Sequence, residues 1–157
     1  MTMHNATKEK IEKIFKNLNV KYEQNNKIPN DKLEKILNYK ISFNTYGELK
    51  YLNIIGAILL WNEDFSLDFL VSNLYKIEDE DELLECFQIV NKANDHAYIG
   101  KFGVFNDEMI VYRSSSECGD GYVDLTEDLI KKHISAFSSN LLYLFNLIYE
   151  REEKKNG

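Results

Sequence analysis

Ser114, Ser115, Ser116 and Cys118 are the nucleophiles of this chain that lie closest together, and His96 and His133 are the bases that would activate them. Acyl transfer by such a group needs a hydroxyl or thiol beside an imidazole that a carboxylate orients. No nucleophile elbow surrounds these serines. Three serines followed by Glu117, Cys118, Gly119, Asp120 and Gly121 have the composition of a surface loop. Acids on both sides of Cys118 should raise its pKa and blunt its reactivity. Gly119 and Gly121 lack the Lys-Ser/Thr of a phosphate loop, and no Gly-x-Gly-x-x-Gly occurs. A small hydrolase using the Ser114–Gly121 loop with His133 is the enzymatic alternative, and the sequence is read as that of a protein without catalytic residues.

No metal or cofactor is expected either. His4, His96 and His133 are far apart, and none is three or four residues from another His or a Cys. The acidic run Glu78 to Glu82 suggests a calcium loop, but such a loop begun at Asp79 needs Gly sixth and has Leu84. The run is read as a helix start, where carboxylates meet the positive end of the macrodipole. Cys86, His96 and His133 are read as packing residues.

These residues need a folded body, and 157 residues, 44% hydrophobic with one Pro, suffice for one core and one domain. The net charge of -7 is uneven: residues 1–40 hold nine Lys against five acids, and the remainder ten Lys and Arg against twenty-one acids. An acidic body repels phosphate, and the lysines of the first segment alternate with acids, so nucleic acid is not an expected partner. The longest apolar run, Tyr51 to Trp61, is eleven residues, well short of the ~20 that span a bilayer. Two cysteines without a framework, and no apolar stretch after Lys8 and Lys10, point to the cytoplasm.

Hydrophobic periodicity predicts a helix over 8–18 capped by Thr7, a loop over 20–30, and a second short helix over 31–39. Residues 1–38 thus read as an N-terminal helical segment, 39–150 as an α+β body and 151–157 as a frayed polar tail. Strands are predicted at Lys40–Thr45, Leu49–Trp61 and Phe65–Ser72, the last two joined by a turn at Glu63-Asp64. That turn sets Leu60 opposite Leu67, Ile58 opposite Phe69 and Gly56 opposite Val71, with Trp61, Ser66 and Asp68 on the second face. A helix over 78–94, with Leu83, Leu84, Phe87 and Val90 on its stripe, precedes a hairpin turning at Asn106-Asp107. Ser114–Tyr122 follows as a loop, and Thr126 caps a helix to about Glu150. The fold class is α+β, a single domain with a mostly antiparallel sheet of about five strands flanked by helices, order α-βββ-α-ββ-α.

A two-residue turn pairs Val104 with Met109 and Phe102 with Val111. It puts Phe102, Val104, Met109 and Val111 toward the core and Phe105, Ile110 and Tyr112 on the other face. That second trio is the candidate partner-binding face, with cover by a helix of the same chain as the ordinary alternative. Phe69 and Val111 are both expected to be core.

Val90-Asn91-Lys92-Ala93-Asn94 ending a helix, Gly100-Lys101-Phe102 and Val111-Tyr112-Arg113 in strands, and Leu125-Thr126-Glu127 opening the last helix carry a likeness. Over Leu83 to about Tyr149 the chain resembles the YbjN family, whose fold is like that of type III secretion chaperones. Asn91 and Asn94 read locally as helix-end residues. The resemblance implies a small acidic cytoplasmic module without enzymatic activity, chaperone-like or regulatory, binding a protein partner or itself. An immunity or antitoxin protein neutralising a basic toxin is the alternative of the same kind.

Overall fold

A computed structural model describes residues 3–25, 36–61, 66–117 and 125–156. Its elements are helix α1 (Met3–Asn17), strands β1 (Lys21–Gln24), β2 (Ile36–Asn44), β3 (Asn53–Trp61) and β4 (Ser66–Lys76), helix α2 (Glu80–His96), strands β5 (Lys101–Phe105) and β6 (Met109–Glu117), and helix α3 (Glu127–Asn156). They form one α+β domain, an antiparallel six-stranded sheet in the order β1-β2-β3-β4-β6-β5. The helices of the described residues pack on one face of it. Leu37, Tyr39, Ile41, Ile58, Leu67, Phe69, Ile110 and Tyr112 point there and are buried.

The α1 stripe behaves as its spacing predicts, with Ile11, Ile14 and Phe15 buried, but the helix begins at Met3 and Thr7 lies inside it. Its end is closed by Asn19, whose φ of 57° lets the Val20 amide reach back to the Phe15 carbonyl at 2.9 Å, a Schellman closure. The expected 20–30 loop contains β1, and 31–39 is not a helix where it is described, because Ile36–Tyr39 is β2. Alternation decides this: Leu37 and Tyr39 continue with Ile41 and Phe43 onto the covered face. Residues 31–35 lie outside the described ones, as do the Glu63-Asp64 turn and Phe65.

The β3–β4 register is as predicted for Ile58 with Phe69 and Leu60 with Leu67. Asp79 caps α2 by accepting from the Glu82 amide at 2.8 Å, and Glu82 accepts from the Glu78 amide at 2.8 Å, so the acidic run is a helix start. The α2 stripe is turned from the one expected. Cys86, Ile89, Val90 and Ala93 are buried with Glu82, while Leu84 and Phe87 are exposed. Asn94 does not cap the helix; its amide group donates to the Phe102 carbonyl at 2.9 Å and accepts from the Phe102 amide at 2.8 Å. It thereby occupies part of the free edge of β5, the kind of edge that otherwise recruits strands.

The hairpin turns at Asn106 and Asp107, both at positive φ (51° and 56°), as their types allow. Its loop has three residues, however, and pairs Phe105 with Met109, Val104 with Ile110 and Phe102 with Tyr112. This one-residue slip exchanges the faces of β6. Ser114–Glu117 continues β6 rather than opening a loop, because Ser114 to Glu117 pair with β4 from Phe69 to Ser66. Helix α3 runs on to Asn156, so the tail to that point is helical and not frayed. Arg151 fastens it, in ion pairs with Glu82 and Glu85 of α2 and a 3.4 Å hydrogen bond to the Tyr75 hydroxyl.

Candidate functional site

The hairpin slip decides the fate of the predicted docking trio. Ile110 and Tyr112 are buried at 0% and 1% exposure, whereas Phe105 stands 53% exposed on the opposite face. Helix α3 covers Tyr112: the Phe137 ring lies 5.0 Å from that of Tyr112, and Asn140 donates to its hydroxyl at 3.3 Å. Cover by a helix of the same chain is therefore what the fold provides for Tyr112, and Ile110 lies buried on the same, helix-bearing side of the sheet.

The serine run also divides between the faces. Ser114 and Ser116 meet His133, with Oγ to Nδ1 at 2.7 Å and Oγ to Nε2 at 2.8 Å, beneath α3. Ser115 points the other way and donates to Asp68. A Ser-His-Asp relay is thus not assembled, since His133 has hydroxyls on both nitrogens and Asp68 lies across the sheet from it. His133 stacks on Phe69 at 6.1 Å and is buried as the packing reading expects. Cys118, Gly119 and Gly121 lie outside the described residues.

Burial, reinforced by Lys132, pushes His133 down from 6.5 to about 4. Between these values the unfolded chain binds a proton that the folded one refuses, so stability is full above pH 6.5 and falls as pH drops toward 4. The loss attributable to this group approaches about 3 kcal/mol. Denaturant midpoints across this range should therefore fall less steeply for His133→Gln than for the wild type. Parallel profiles would show that the imidazole is not held neutral.

The second face of the sheet carries the candidate site. Its central row, in register across the strands, is Glu23-Lys40-Ala57-Leu70-Arg113-Lys101. Ile55, Leu59 and Trp61 of β3 and Val111 of β6 flank it on the same side. No helix of the described residues lies over them; Ile55 is 59% exposed and the others are half-buried. Within this face Asp68 is buried and accepts from Trp61 Nε1 at 2.8 Å, from Arg113 Nη2 at 3.0 Å and from the Ser115 hydroxyl. Burial alone would raise its carboxyl, but the donors of Ser115, Arg113 and Trp61 outweigh it and hold the group below its usual range. The ionised carboxylate in turn fixes the Trp61 ring and the Arg113 guanidinium around an open depression of about 520 Å³ that Ser66 and Glu117 also line.

The pairing of β3 with β4 already puts Trp61, Ser66 and Asp68 together in the sequence reading. Ser115 falls in the expected Ser114–Tyr122 loop, and Arg113, read as the end of a strand, reaches this site only through the pairing of β6 with β4, although the odd positions Val111, Arg113 and Ser115 alternate with buried Tyr112 and Ser114.

Among the described residues no group of three His, Cys, Asp or Glu side chains is placed to hold a metal ion. None of their helices is long and apolar enough to cross a membrane. Comparison with protein-family models, with curated proteins and with solved structures finds no match.

Proposed function

We propose that this is a non-catalytic, cytoplasmic protein-interaction module, chaperone-like or regulatory, which binds another protein on the second face of its sheet. One observation carries the reading: Ile55, Leu59, Trp61, Leu70 and Val111 form an apolar surface on a face without cover among the described residues. A coherent apolar patch on an otherwise charged surface marks an interaction site. Trp61 and Arg113 beside it are residue types that dominate binding energy when a partner desolvates them. The resemblance to the YbjN family, with its chaperone-like fold, belongs to the same proposal.

The proposal gives up Ile110 and Tyr112 as docking residues and keeps Phe105, which lies in register with Met109 at the margin of this second face. It is preferred to the hydrolase alternative because Ser114 and Ser116 are engaged with the buried His133.

Leu70→Glu tests the reading. The side chain is half-buried beside Ala57 and Arg113, so the variant should keep its circular dichroism spectrum and lose the partner that tagged wild-type protein retains. Phe87→Glu on exposed α2 is the control and should retain it. Retention by both variants would remove this face from the interaction.

A further inference from the structure

We infer that the partner presents an apolar surface rimmed by carboxylates, so that an acidic chain carries a docking face for acidic proteins. The inference rests on the interaction reading above and adds the chemistry of the occupant. The chain has a net charge of -7, yet on this face the described cations are Lys21, Lys40, Lys76, Lys101 and Arg113 against Glu23, Asp68 and Glu117. Asp68 is buried and spent on Arg113, Trp61 and Ser115, and Glu23 stands directly across from Lys40. Lys21, Lys76 and Lys101, the last of which also donates to the Asn94 carbonyl at 2.9 Å, then stand against Glu117 alone, so the balance of the described face is positive, and its cations lie on both sides of the apolar centre: Lys40 flanks Ala57 on one side, and Arg113 followed by Lys101 flanks Leu70 on the other.

This arrangement selects among occupants. A basic toxin would meet lysines at the rim, where like charges oppose association. A second copy laid face to face would bring the same positive balance against itself. Nucleic acid would take up the same cations, but it needs a clustered basic surface without apolar filling, and here the middle of the face is Ile55, Leu59 and Leu70. An acidic, apolar protein segment satisfies both the centre and the rim, with the cations steering its approach.

Trp61 is the sole tryptophan of the chain and lies within the site, so its emission reports occupancy directly. The probes are two amphipathic peptides with leucines at the same helical positions, one bearing glutamate at every other position and one bearing lysine. The glutamate peptide should shift Trp61 emission to the blue and bind at least about tenfold more tightly than the lysine peptide, with a preference that fades as salt is raised. Lys21→Glu/Lys76→Glu, at positions paired with Ser42 and Met109 and so away from the Asp68 cluster, should abolish that preference. Equal or tighter binding of the lysine peptide overturns the inference while leaving the interaction reading in place. So does a single-stranded oligonucleotide that binds more tightly than the glutamate peptide, or a concentration-dependent shift of Trp61 without peptide that Leu70→Glu removes. Silence from both peptides also overturns it, and whether the interaction reading falls too is then read from the Leu70→Glu and Phe87→Glu comparison.

Discussion

Phe69→Ala should lower the free energy of unfolding by about 3–5 kcal/mol. The ring is completely buried and central, with its centroid 5.6 Å from that of Phe43, 5.7 Å from Phe137, 6.1 Å from His133 and 6.2 Å from Tyr112. Three of these neighbours are themselves anchored, Phe43 in β2, Tyr112 by its hydroxyl on the Ile99 carbonyl and His133 by two serines, so the site cannot collapse around the loss. The transfer term and the cavity term then add. Val111→Ala, by contrast, removes two methyls from a half-buried position on the second face and should cost about 1 kcal/mol or less. Urea midpoints of the two variants read the contrast; equal losses would mean that the β5–β6 register is that of the two-residue turn.

Arg151→Ala should cost about 3 kcal/mol, because breaking a buried ion pair leaves a charge without its counterion. The guanidinium side chain is 12% exposed and meets Glu82, itself 10% exposed, and Glu85. Burial alone would raise the Glu82 carboxyl, yet the Tyr75 hydroxyl, the Glu78 amide and Arg151 hold it below its usual range. Without Arg151 the carboxylates of Glu82 and Glu85 lose their shared cation, and Lys155, 3.3 Å from Glu85 and half-exposed, compensates only in part. The penalty should shrink as pH falls and the carboxylates take up protons, the signature that separates lost charge from lost packing. Thermal unfolding of Arg151→Ala at neutral and acidic pH measures this. An unchanged transition at neutral pH would mean that residues 151–156 contribute nothing, as expected of a frayed tail.

Features whose cause is local are legible in the order of residues alone. Periodicity placed the buried stripe of α3 through Ile130, Ile134, Phe137, Leu141 and Leu144, and the acidic run marked the start of α2. The alternation of Leu67, Phe69 and Val71 gave the β3–β4 pairing, because one wrong step would have sent all three to solvent. The β5–β6 hairpin lacked that protection, since both parities of β6 are apolar. Asn106-Asp107 announced the turn, but only packing under α3 decided that Ile110 and Tyr112, not Met109 and Val111, go inward. The other tertiary decisions have the same origin in distant partners. Lys21–Gln24 is a strand because β2 pairs with it, the serines are strand because β4 does, and a polar tail is helix because Glu82 and Glu85 neutralise Arg151. The candidate site belongs to this second kind: Trp61, Asp68 and Arg113 come from three strands, and only the pairing of β3, β4 and β6 sets the charge of Arg113 beside the apolar surface of β3.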